Sequence, residues 1–416
     1  MGNERGGGGA WGGARALVVA ALVAAGGGAA LAGTTLGKAT PVVDPGHAGL
    51  RHWFEALERT RDGRSVARSL HYGDSTIVAD GIARTVRSRL VERFGDAGPG
   101  FVSAGLTPQW NQRSDITSAR KGGWEWRTIL LGGAGGRYGL GGIVGIVSSG
   151  SATIRAIRPT GEPVPQRHVE LWYQGGAGYG SYWVNVDGRE IGRGSAAATA
   201  TDDRRFQLDV PEGFTTLTFG SAGGTVPFYG FVLETGRAGA TWEALGITGV
   251  GSKSFSTFAR EALRPQVEQR RADLLVVMLG GNEASYPSLL SKSGVAYEPL
   301  FDAGLRTILA GRGESSCLVL TPLDQGFLDE VDGTPKSRPG MPNLVAAQAR
   351  VAAAHGCAFW STWEAMGGKG SALVWGRTRG LGTGDYVHVT PAGLERIGTL
   401  LADALLQEYD AWAAGR

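Results

Sequence analysis

Along the chain from residue 65, apolar and polar positions change rhythm in a way that marks out structural elements. Residues 66–72 read as a short strand, followed by Gly-Asp-Ser and then by Ile77, Ile82, Val86, Leu90 and Phe94 at near-helical spacing. Arg84, Arg87, Arg89 and Glu92 occupy the other faces of that helix. A strand, tight turn and helix are therefore predicted around Ser75. The alternation returns later in the chain. Residues 272–279 form a continuous apolar run, the pattern of a parallel strand covered on both faces. Helices predicted near 298–310, 342–355 and 391–407 alternate with strands at 317–321 and 357–361. This order predicts an α/β fold with a doubly wound parallel sheet.

Between these halves the pattern is different. Residues 139–236 contain no good amphipathic helix. They hold seven short alternating or β-branched runs, at 143–147, 152–157, 168–173, 182–186, 206–210, 214–219 and 228–233. Turn signals such as Asp187-Gly188 and Pro211-Glu212-Gly213 separate them, so an inserted β-sandwich is expected. The predicted organisation is a linker at 33–64, an α/β domain in two parts (65–138 and 237–416), and the insertion at 139–236.

The amino terminus reads as an export segment. Arg5 and Arg15 precede an apolar run over 16–32 that is broken by Gly26, Gly27 and Gly28 and ends in Ala30-Leu31-Ala32. That is the form of a cleaved signal peptide, with a retained membrane anchor as the alternative for residues 1–32. The two cysteines, Cys317 and Cys357, each begin a short apolar run, and a disulfide and two buried thiols both fit the sequence. A net charge of +3 over 416 residues, with no basic stripe, argues against nucleic acid as a partner.

Candidate chemistry sits at the ends of the predicted strands. Ser75 follows a strand and opens a helix, which puts its hydroxyl at the carboxyl edge of the sheet, where ligands bind in α/β folds. A nucleophilic serine needs a base, and the base needs a carboxylate on its other nitrogen. Asp385 and His388, three apart in a Gly-rich loop before the last helix, supply both. Asn282, at the end of the 272–279 strand, and the backbone N–H of Gly249 are candidate oxyanion donors beside that of Ser75. His52, His168 and His355 read as structural or solvent-facing, and His71 as a core residue. Trp172, Tyr182 and Trp183 are candidates for stacking on sugar rings. No pattern calls for zinc, haem or flavin, so no cofactor is expected.

Four blocks in order, Gly-Asp-Ser75, the Gly249 turn, Gly-Gly-Asn282-Glu and Asp385-Tyr-Val-His388, resemble the SGNH/GDSL hydrolase superfamily. Further blocks are similar to those of peptidoglycan O-acetylesterases: His-Tyr-Gly-Asp-Ser75, Arg93-Phe-Gly-Asp-Ala-Gly-Pro-Gly-Phe101, Gly-Gly-Asn-Glu-Ala284, Cys357-Ala-Phe-Trp, Met366-Gly-Gly and Val387-His-Val-Thr-Pro-Ala-Gly. The resemblance spans about 66–416. Thr76 and Thr248 depart from it, where that group has His and Asn, and both positions bear on the substrate. The resemblance implies a monomeric periplasmic or cell-envelope serine esterase acting on an acetylated glycan through an acyl-enzyme on Ser75. Two other activities fit the same residues, an O-acetyltransferase and a non-catalytic glycan-binding protein.

Overall fold

Residues 36–416 are described by a computed structural model, except for 64, 133, 134, 292, 293 and 379. The predicted export segment at 1–32 lies outside the described residues. Helix α1 (Arg51–Arg61) leads into strand β1 (Val66–Gly73), then the short helix α2 (Ser75–Val78) and helix α3 (Gly81–Phe94). The periodic run predicted as one helix is thus two. Asp80 breaks it with a left-handed backbone (φ 59°), and its carboxylate accepts from Arg87 and Ser114. Ile82, Val86, Leu90 and Phe94 form the buried stripe of α3, as their spacing requires.

The middle of the chain is all strand: β2 (Gly100–Ser103), β3 (Ile116–Thr128), β4 (Ile143–Ala156), β5 (Gln166–Gly175), β6 (Ser181–Val186), β7 (Arg189–Ser195), β8 (Asp202–Phe214), β9 (Leu217–Gly223) and β10 (Val226–Glu234). They join into one nine-stranded antiparallel sheet around its own apolar core, with Ile154, Leu171, Val184, Phe219, Phe228 and Phe231 at its centre. The runs at 143–147 and 152–157 belong to a single strand, β4, and the run at 214–219 straddles the turn from β8 to β9. Strands β2 and β3, which precede residue 139, pair with β10 and β4 and extend the sheet beyond the predicted segment. Most of β3 is solvent-exposed and glycine-interrupted, which left no alternating pattern to read.

Strand β11 (Gly239–Gly246) returns to the α/β body, followed by α4 (Ser252–Ser256), α5 (Arg260–Arg270), β12 (Leu274–Met278), α6 (Pro287–Leu290), α7 (Glu298–Ile308) and β13 (Ser316–Leu320). A small hairpin comes next, β14 (Gly326–Leu328) with β15 (Pro335–Ser337). Then come α8 (Met341–Ala354), β16 (Ala358–Trp360), α9 (Thr362–Met366), α10 (Ser371–Arg377) and α11 (Pro391–Ala414). Five strands make a parallel sheet in the order β11-β1-β12-β13-β16. Alternate residues of β12 face opposite cores: Leu274, Val276 and Met278 pack toward α1, α3 and α11, while Leu275 and Val277 pack toward α5, α7 and α8. The sheet is therefore covered on both faces, which explains the continuous apolar runs. Cys317 on β13 and Cys357 just before the neighbouring β16 are joined by a disulfide.

The two sheets are locked together by buried charge. Arg270 of α5 bonds Glu243 of β11 and Glu234 of β10, and Glu234 also accepts from Arg68 of β1. Burial would raise the Glu234 carboxyl, but the two guanidiniums hold it down at about 2.

Candidate active site

Three neighbouring strands end level with one another. In register, Gly73 of β1 lies beside Gly246 of β11 and Met278 of β12. Ser75, Gly249 and Asn282 all follow within a few residues of those ends, so the sheet brings them to one edge. By sequence the strand order is 2-1-3-4-5, and this edge lies at the point where the order reverses, the usual ligand position in such sheets.

The turn that carries Ser75 is made by its neighbours. Asp74 is extended and caps α2, its carboxylate accepting from the Thr76 N–H at 2.9 Å, while its carbonyl accepts from Ile77 and Val78. Gly73 is required because a Cβ there would meet the Ile77 side chain at 2.2 Å. Ser75 itself is partly exposed. Burial raises the Asp74 carboxyl, opposed by the Thr76 hydrogen bonds.

The Gly249 turn is braced from the Asn282 segment. Gly249 has φ 82°, a left-handed backbone that favours glycine, and Leu130 lies directly against it. Asn282 Nδ2 donates to the carbonyl of Val250 at 2.7 Å, which leaves its second N–H available. Glu283 Oε1 accepts from the Ser252 N–H at 2.5 Å. The Glu283 carboxyl is raised by its burial, and the Asp74 carboxylate nearby adds to the rise. Thr248, one of the two departures from the resemblance, donates its hydroxyl to the carbonyl of Gln109.

Asp385 and His388 are brought together as predicted. Tyr386 between them adopts φ 58°, which turns the loop back on itself. His388 Nδ1 donates to Asp385 Oδ2 at 2.7 Å, which leaves Nε2 as the accepting nitrogen. Asp385 Oδ1 accepts from Thr383 Oγ1 and from the backbone N–H groups of Val387 and His388. Burial would raise the Asp385 carboxyl, but bonds from His388, Thr383 and Val387 outweigh it and hold the group well below the usual carboxylate range. The loop is pinned to the sheet edge through Gln325 and Gly326, where β14 begins. Gly326 N–H donates to the Tyr386 carbonyl at 2.7 Å, and Gln325 Nε2 donates to the Gly281 carbonyl at 3.0 Å.

Two of the three aromatic candidates need correction. Trp172 is in the core, with Nε1 donating to Glu170, and Tyr182 is buried with its hydroxyl on that of Tyr173. Alternation turns both rings inward, so neither can stack on a sugar. Trp183, on the opposite face of β6, is half-buried. His71 is buried as expected. Its Nδ1 accepts from Trp242 Nε1, and burial pushes it down to about 3, so it stays neutral. Sequence reasoning missed Leu130, Glu283 and Gln325. Of these, only Glu283 carried a signal, as the last residue of the Gly-Gly-Asn-Glu block.

Residues 215–396 match the GDSL-like Lipase/Acylhydrolase family. That span includes Gly249, Asn282, Asp385 and His388 and stops short of Ser75, which lies on the far side of the antiparallel sheet in sequence. A solved peptidoglycan O-acetylesterase is similar in fold, with a TM-score of 0.73 at 23% identity over 89% of this chain and 99% of that chain. An acetylxylan esterase from Geobacillus stearothermophilus aligns with 41% of this chain and 72% of its own, at 20% identity and a TM-score of 0.28. No curated protein sequence matches.

Proposed function

We propose that this chain, a GDSL-like acylhydrolase over residues 215–396 and in its fold, is an exported serine esterase that removes O-acetyl groups from a cell-wall glycan, peptidoglycan first among the candidates. The observation that carries the reading is that Ser75, Gly249 and Asn282 follow adjacent strand ends and that a hydrogen-bonded His388–Asp385 pair is tied to the same edge.

In this mechanism Ser75 Oγ attacks the acetyl carbonyl carbon and passes its proton to His388 Nε2. Asp385 fixes the imidazole tautomer and stabilises the imidazolium that forms. The carbonyl oxygen becomes an oxyanion held by the N–H groups of Ser75 and Gly249 and by the second N–H of Asn282, each donor being worth about 10²–10³ in rate. The ester C–O bond breaks, and His388 returns the proton to the departing sugar oxygen. Water then adds to the acyl-enzyme with His388 as base, and acetate leaves as Ser75 regains its proton. The Cys317–Cys357 disulfide supports an oxidising compartment, in line with the predicted export segment. The antiparallel sheet serves to hold the polymer, with Trp183 as the remaining stacking candidate.

The test is acetate release from O-acetylated peptidoglycan, O-acetylated xylan and p-nitrophenyl acetate, with a fluorophosphonate probe reporting on Ser75. Release from peptidoglycan together with labelling lost in Ser75→Ala is expected. An unlabelled Ser75 would overturn the serine mechanism, and acetyl transfer to an added glycan without free acetate would turn the esterase into a transferase.

A further inference from the structure

A cavity of about 860 Å³ opens beside the oxyanion segment, beginning at Ala284 and Ser285 just past Asn282 and bounded on its other side by the β14–β15 hairpin and Arg338. Arg338 is unusual there. Its guanidinium lies over the Phe327 ring, with the central carbon 5.8 Å from the ring centre, and its Nε is buried without a hydrogen-bond partner among the described residues. Two carboxylates share the lining, and neither neutralises it. Asp329 is taken up by Lys336 at 2.7 Å, and Glu330 is exposed. Burial lowers the Arg338 guanidinium, and no acidic group among the described residues acts to raise it. A partly desolvated guanidinium with no carboxylate paired to it among the described residues is unfavourable alone and favourable once an anion docks on it.

Its attachment makes it relevant to the site. The Arg338 N–H donates to the Gln325 carbonyl at 3.0 Å, and Gln325 Nε2 donates to the Gly281 carbonyl at 3.0 Å, next to Asn282. Gly326, the following residue, holds the Asp385–His388 loop through Tyr386. Arg338 therefore stands at a fixed offset from the reacting centre.

We infer that Arg338 is a specificity residue that binds a carboxylate carried by the substrate glycan next to its acetylated sugar, with the Phe327 face holding the guanidinium plane and the cavity receiving the anionic substituent. The inference rests on the esterase reading above for what the site is for. It predicts discrimination between two acetylated polymers, one bearing carboxylates and one neutral.

The experiment measures binding, which separates it from turnover. A soluble, de-O-acetylated muropeptide with free carboxylates and its carboxyl-amidated counterpart are titrated calorimetrically into the wild type, Arg338→Gln and Arg338→Lys, with melting temperatures as the folding control. The wild type should prefer the free carboxylate by about tenfold or more. Arg338→Gln should lose the preference. Arg338→Lys should recover part of it, because lysine keeps the charge but not the planar fork. No preference in the wild type, or a preference kept in Arg338→Gln, would overturn the inference. Acetate release by the wild type from O-acetylated peptidoglycan is measured alongside. Release with an Arg338-independent affinity rejects only the carboxylate site, whereas Arg338-dependent binding without release rejects only the esterase reading.

Discussion

Ser75, Gly249 and Asn282 hang from the edge of a sheet buried on both faces, whereas Asp385 and His388 sit in a loop with about half of each side chain exposed, 49% and 55%. The first group is placed by the core. Strands β1, β11 and β12 fix where it lies, and Asn282 and Glu283 brace the Gly249 turn from inside. The second group holds itself. Asp385 collects four hydrogen bonds from within its own loop, and the Gly326–Tyr386 bond reaches toward the sheet edge. An exposed ion pair alone is worth little in water, so the pair's value is orientation supplied by several bonds at once. Damage to the bracing of the sheet-edge half, at Asn282 or Glu283, should therefore show in stability and rate together, and damage to the loop half in rate alone.

The largest effect tests whether the two halves form one device. Ser75→Ala and His388→Ala should each lower acetyl-ester turnover by about 10⁴-fold or more, with unchanged melting temperatures. The double variant should be little worse than either single, because neither residue works without the other. Losses that multiply would separate the halves.

Asn282→Ala comes next, on the sheet-edge side. It removes the proposed oxyanion donor and also leaves the Val250 carbonyl without its 2.7 Å partner. Turnover should fall by about 10²–10³, and the melting temperature should fall with it. A change confined to KM would place Asn282 in ground-state binding instead.

The same contrast explains what was legible in the sequence. Strands β1, β12, β13 and β16 and helix α3 were readable because two-sided burial leaves apolar runs and helical stripes. Strand β11 was not, since it carries Glu243 and Thr241 buried in a charge network that looks polar in sequence. Trp172 and Tyr182 looked like binding residues because an aromatic in a strand reads the same on either face, and only the register settles which way it points. Asp385 and His388 were legible for the opposite reason. Their spacing is short and local, and needs no tertiary contact to be recognised. The bracing by Glu283 and Gln325 and the Leu130 contact are long-range, and no local pattern announces them.

A smaller effect sharpens the sheet-edge half through pH. The raised carboxyl of Glu283 penalises its charged form in the folded state. That penalty is present above the folded value and vanishes as pH falls to the unfolded value, about 4.3. Glu283→Gln keeps an acceptor for the Ser252 N–H and removes the charge, so it should melt about 1–3 °C higher than the wild type at pH 7. The gap should close toward pH 4.5. Glu283→Ala leaves that N–H unpaired and should cost about 1–3 kcal/mol near pH 4.5, and less at pH 7, where it also removes the penalised charge. A Gln variant less stable at pH 7 would show that the charge itself holds the turn.

The smallest effect probes the loop half where it is most self-reliant. Thr383 Oγ1 lies 2.5 Å from Asp385 Oδ1 and 2.7 Å from the His388 carbonyl. Its single proton goes to the charged acceptor, the stronger of the two bonds. Thr383→Val keeps the shape and the backbone bond from the Thr383 N–H to the His388 carbonyl, and removes only that hydroxyl. Asp385 then retains three donors and stays ionised near neutrality, so proton affinity is not what changes. What loosens is the carboxylate that aims the imidazole. The looser aim should lower kcat/KM by roughly 2- to 12-fold, equivalent to about 0.5–1.5 kcal/mol in the barrier. The factor should be the same at pH 6 and pH 8, and the melting temperature should not move. A factor that varies between those pH values would mean Thr383 tunes a titration rather than a geometry. A lowered melting temperature would mean that the loop leans on the core after all, and the difference between the two halves would disappear.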